Sequence, residues 1–141
     1  MRQLLDCLAE YVMSSGLLVM VIVGLLKGPA MDVNQIRFAN LGPKQVVLAS
    51  WYGQEFNGRP MANGEPFDEG DPTTVAHKTL PLGTKLVVHN PINGETIDVE
   101  VKDRGPFKPG RGLDLSKEAA KRLGFIDEGL AKLEVRVVKT D

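Results

Sequence analysis

Apolar and polar residues alternate in short runs from Gln45 onward, and each run predicts a strand. Thr96 to Lys102 alternates cleanly, with Ile97, Val99 and Val101 on one face and Asp98, Glu100 and Lys102 on the other. Thr84 to His89 predicts a strand just before it, and Asn90-Pro91-Ile92-Asn93-Gly94 between the two carries the Asn-Gly pair that favours a hairpin turn. Gln45 to Ser50, rich in β-branched residues behind Gly42-Pro43, predicts a further strand. Lys132 to Lys139 predicts the last, with Leu133, Val135 and Val137 on one face. One short helix is expected from Lys117 to Leu123, with Ser116 as N-cap and Gly124 as the closing residue. The remainder reads as turns. Short strands, abundant glycine and one small helix point to a mainly β fold, a closed or nearly closed barrel, because closure removes exposed strand edges.

The first thirty residues follow a different pattern. No charge occurs between Tyr11 and Leu26, and Leu17 to Leu26 is apolar apart from Gly24. Spanning a bilayer takes roughly 20 apolar residues and a secretory h-region about 7–15, so this run falls between the two. Gly28-Pro29-Ala30 offers small residues at a cleavage position. Residues 1–30 are therefore read as a signal peptide first and a retained membrane anchor second, the anchor attaching the protein through residues 11–26. A core helix is disfavoured, since the run has no polar face to set against an apolar one. Residues 31–44 read as a linker or an irregular first strand, and residues 45–139 as the folded domain.

Composition narrows the picture further. A chain of 141 residues, 43% of them hydrophobic, supports one ordinary core. Lys and Arg number 17 against 18 Asp and Glu; removing two of each sign with the first thirty residues leaves 15 against 16. Such a balance creates no global basic field, and no nucleic-acid partner is expected. Cys7 is the single cysteine, so neither an intrachain disulfide nor a thiolate zinc site is available. His77 and His89 lack metal-ligand spacing, and neither metal nor cofactor is expected.

Candidate chemistry sits between Ala49 and Ser116, where acids and an imidazole are flanked by Gly, Pro and Asn. Such neighbours hold a side chain by turn geometry. Asp103 stands where an alternating strand meets Gly105-Pro106, as either a general acid or an Asp-Arg turn closing the barrel. Adjacent Arg104 would favour the ionised acid if the two side chains met, but neighbours on a strand face opposite ways. Glu65 follows Asn63-Gly64, as a site residue or a solvated one, and His77 precedes a rigid Lys78-Thr79-Leu80-Pro81 turn, as a ligand-facing or structural imidazole. Trp51 and Tyr52 point in opposite directions, so one can fill the core while the other offers a flat face to a sugar. Asp114 and Arg111 are expected to brace the loop beneath the site, with Asp114 a secondary candidate for the acid; His89 reads as structural.

Ala49 to Gly53, Met61 to Phe67, Thr74 to Thr84, Asn90 to Gly94, Asp103 to Phe107 and Leu113 to Gly124 together resemble the ordered motifs of the rare lipoprotein A (RlpA) family. The resemblance covers about Val47 to Val138. It implies a six-stranded double-psi β-barrel related to barwin and expansin domains, and a septal-ring endolytic transglycosylase that cleaves MurNAc–GlcNAc bonds of peptidoglycan glycan strands to 1,6-anhydro products. It further implies a preference for glycan without stem peptides. Asp103 takes the place of the catalytic acid and base, Glu65 and His77 assist, and Tyr52, Asn63, Arg104 and Asp114 face the substrate. Met61 stands where the family has Thr, Val75 replaces an Ala, and the loop Asp68 to Thr73 is one residue longer. Cys7 precedes the hydrophobic run instead of ending it, so a lipid anchor is not expected, and no glycan-binding repeat is expected to recruit the barrel.

Two other classes compete with the lytic enzyme. An expansin-like module would bind glycan without cutting it, because fold alone does not decide function. A hydrolase would use Asp103 with Glu65 or Asp114 and leave reducing ends, since hydrolysis usually needs two carboxyls where a lytic step needs one.

Overall fold

The computed structural model describes residues 40–140. The readings of residues 1–30 as signal or anchor, and of most of the linker, lie outside the described residues. Six strands form a closed barrel: β1 (Gln45–Trp51), β2 (Thr74–Ala76), β3 (Lys85–His89), β4 (Thr96–Asp103), β5 (Leu113–Leu115) and β6 (Ala131–Val137). Around the barrel the order is β1-β5-β2-β4-β3-β6. β1 runs parallel to β5 and β2 parallel to β4, while the other neighbours are antiparallel.

The alternating strands stand where their patterns place them, with ends moved by a residue or two. In β4, Val99 and Val101 are buried, and Ile97 packs partly against them. Leu133 and Val135 of β6 and Leu86 and Val88 of β3 join the same core. Burying each such side chain favours folding by about 1.5–3 kcal/mol before chain entropy is counted. β2 and β5 are strands where the pattern predicts turns, because three residues are too few to display a period of two. Of the 31–44 stretch, the described end is stitched to β6: Leu41 bridges Val138, and the Gly42 N–H donates to the Val137 carbonyl at 2.7 Å.

Helix α1 (Lys117–Arg122) closes one side of the core with Ala119 and Ala120. Its Ser116 cap accepts from the Ala119 N–H at 3.1 Å. Beyond the helix, the Leu123 carbonyl accepts from Asn90 Nδ2 at 2.8 Å and Asn93 Nδ2 at 2.9 Å, tying the helix end to the β3–β4 turn.

Candidate active site

A groove of about 600 Å³ opens beside the ends of β1, β4 and β5; its lining includes Ser50, Trp51, Tyr52, Asp103, Arg104 and Asp114. Strand register explains how the acids meet there. Ser50 pairs with Asp114, Asp114 with Ala76, and Ala76 with Asp103, one row across four strands. Ala49, Val75, Leu113 and Leu115 face the core, so the intervening Ser50, Ala76 and Asp114 share the opposite face. Asp103 has the parity of buried Val99 and Val101 and would follow them inward. A register shift opposite Val75 and Ala76 makes Lys102 an extra residue and brings Asp103 into the outer row. Asp103 and Asp114 then flank Ala76, with backbones about 10 Å apart at two strand spacings.

Three donors orient the Asp103 carboxylate. Tyr52 donates its hydroxyl to Oδ2 at 3.0 Å, and the Ala62 and Arg104 N–H groups donate to Oδ1 at 2.9 and 2.8 Å. Burial, then the charge of Asp103, pushes the Tyr52 phenol well above its usual range, so it remains a donor. Its ring is held against Phe56 and Phe67, with centroids 5.4 and 4.8 Å away. The Arg104 guanidinium turns away from Asp103. It donates to the carbonyls of His77 at 3.2 Å and Leu80 at 2.7 Å.

Asp114 is held by the Ser50 hydroxyl, whose oxygen also accepts from Arg111 at 3.3 Å. Trp51 packs against the core and lines the groove, and its indole N–H has no partner among the described residues.

His77, Glu65 and Asn63 stand apart from this groove. His77 Nδ1 accepts from the N–H groups of Thr79 at 3.1 Å and Leu80 at 3.0 Å, which leaves Nε2 to carry the proton of a neutral ring. Burial, then Arg104 and Lys78, lowers its pKa. The residue lines a second, smaller cavity with Leu80, Val47 and Val137, and its backbone N–H reaches the Asp103 carbonyl at 3.2 Å. Asn63 and Glu65 sit on the exposed 60–66 turn, where Asn63 Nδ2 donates to Glu65 Oε2 at 3.1 Å. Glu65 is 62% exposed and lies 3.9 Å from Lys102 Nζ. The same turn supplies the Ala62 N–H to Asp103, and its Asn63 N–H donates to the Lys102 carbonyl at 3.1 Å.

Sequence reasoning passed over Ser50, which lines the groove and holds Asp114, and Ala76, which is fully buried between the strands that carry the two acids. Their motif positions were visible, but only the register relates them to the two acids.

The family model described as lytic transglycolase matches residues 44–135. The endolytic peptidoglycan transglycosylase RlpA of Pseudomonas aeruginosa is 48% identical over 92 residues, 65% of this chain and 27% of that protein. RlpA of Neisseria meningitidis serogroup A is 44% identical over 94 residues, 67% of this chain and 39% of that protein. The chain thus spans well under half the length of the curated relatives it matches. Among solved structures, a Clavibacter michiganensis expansin mutant in complex with cellohexaose is similar at TM-score 0.56 and 25% identity, over 70% of this chain and 52% of that one.

Proposed function

From the premise that the chain belongs to the lytic transglycolase family, we propose that it is an exported endolytic peptidoglycan transglycosylase of the cell envelope. Its substrate is the MurNAc–GlcNAc bond of the glycan strand, and its product ends in a 1,6-anhydro sugar. The observation that carries this reading is Asp103, turned out of the barrel into a groove and oriented by Tyr52, Ala62 and Arg104. In the forward step Asp103 gives its proton to the bridging oxygen as that bond breaks. The sugar's own 6-hydroxyl attacks the anomeric carbon, and its proton passes to the Asp103 carboxylate, so one group serves as acid and then base. No water enters the balance.

The companions act around this step. Asp114, fixed by Ser50, supplies negative charge toward the oxocarbenium-like centre, with Tyr52 holding Asp103. Arg104 and His77 hold the 77–80 turn behind Asp103, Arg104 through two carbonyls and His77 through two N–H groups. Glu65 and Asn63 act from the exposed 60–66 turn, on a strand that reaches beyond the groove.

The test is product analysis. The full chain, purified in detergent, should release anhydro-muropeptides from sacculi, and Asp103→Asn should abolish release while sacculus binding persists. An expansin-like binder, the reading that the cellohexaose-bound relative favours, gives no product from either protein. A hydrolase using Asp103 and Asp114 across Ala76 gives reducing ends, which mass spectrometry separates from anhydro ends.

A further inference from the structure

Among the described residues, Phe107 is the most exposed aromatic side chain. It is 86% exposed, although Gly105 and Pro106 just before it are buried. The ring leans on Gly105: a Cβ built there would lie 3.7 Å from Cε2 and 3.8 Å from Cδ2. A buried two-residue anchor therefore ties Phe107 to Asp103, four positions earlier, and presents the ring along the groove that both line. Phe56, itself 38% exposed, lines the same groove and packs on Tyr52.

So exposed a ring contributes little to the core, and a purely structural role leaves its position unexplained. Its neighbours along the groove decide between partners. Arg104, Lys108 and Arg111 are cationic and Glu55, Asp103 and Asp114 acidic, and they share the groove with Trp51, Tyr52 and Phe56, so the ring stands in a mixed lining of charges and aromatic rings and not in a uniformly apolar patch of the kind that docks another protein. A pyranose matches this surface: it has a C–H face for an aromatic ring and a rim of hydroxyls for charged and polar groups.

We infer that Phe107 is a stacking platform for the sugar ring beside the cleaved bond, a binding residue for the glycan. The inference rests on the lytic reading above for its ligand. Binding is measured in the full chain carrying Asp103→Asn, with purified sacculi in a pull-down. Adding Phe107→Ala should weaken retention about five- to tenfold, Phe107→Trp should restore it to within about twofold, and Phe107→Leu should stay weak, because a branched alkyl group has no flat face. In the active chain, Phe107→Ala should raise KM by the same factor with kcat within about twofold, and the melting temperature should not move.

Unchanged binding in the Phe107→Ala variant, a Leu variant that binds like Trp, or a fall in melting temperature that accounts for the loss would each overturn the inference. The two readings fail separately. Anhydro products with an indifferent Phe107 sink the platform alone, whereas ring-dependent binding without any product sinks the lytic chemistry alone.

Discussion

Tyr52 shows how much one atom decides in this groove. Its ring is packed by Phe56 and Phe67, so Tyr52→Phe removes only the hydroxyl that donates to Asp103. Anhydro-product release should fall about tenfold while sacculus binding is retained, as expected for loss of one hydrogen bond to a charged acceptor; unchanged release would show that the bond is idle. His77 makes a different prediction. Its folded pKa is depressed, so the unfolded chain takes up a proton near 6.5 while the folded ring remains neutral to lower pH. Stability is complete above that value and declines as pH falls through it. Melting temperature should therefore drop between about pH 7 and pH 5. In His77→Asn, whose side-chain oxygen can accept from the same turn N–H groups without titrating, the drop should be smaller, and parallel curves would remove His77 as the source. Asp103, Tyr52 and His77 were visible as motif members. What their side chains touch was not, because Nδ1 and the Arg104 guanidinium are spent on backbone groups that no motif names.

At the scale of elements, connections are held by single polar residues. Asp71, in the loop read as one residue longer, accepts from the Thr73 N–H and hydroxyl at 2.9 and 2.6 Å, from Thr74 at 3.0 Å and from Lys102 Nζ at 3.0 Å. Burial alone would raise its pKa, but the Thr73 bonds, followed by Lys102 and Thr74, bring it down to about 2. Asp71→Ala should cost about 1–2 kcal/mol in urea unfolding at neutral pH. The difference from the parent should shrink as pH falls from about 4 toward 2, because the depressed acid stabilises only while ionised; a constant difference would assign the loss to packing. Gly124 ends α1 at φ +74°, and a Cβ there would stand 2.4 Å from Asn93 Nδ2. Gly124→Ala should therefore destabilise by more than about 1 kcal/mol, through backbone strain and loss of the Asn93 bond. Gly124 and the Asn93-Gly94 turn were each legible as local punctuation. Their contact was not, since 30 residues separate Asn93 from Leu123.

For the whole molecule, closure is the organising fact. Every strand has two partners, and the parallel β1–β5 and β2–β4 pairings join distant segments. Residues 40–140 should lose their sheet signal in one cooperative step. Since their sequence has no cysteine, added reductant should leave the midpoint where it is; a reductant-dependent midpoint or a two-step loss would contradict this account. Taken by itself, the sequence determined the long alternating strands, the β3–β4 hairpin, the capped helix and the motif residues, because each depends on neighbours within a few positions. Tertiary structure alone decided the short strands β2 and β5, the row from Ser50 through Asp114 and Ala76 to Asp103, and the separation of His77 and Glu65 from that row. The physical reason is register. An extra residue at Lys102 reverses the face on which Asp103 stands, and such a shift exists only where two strands are laid side by side.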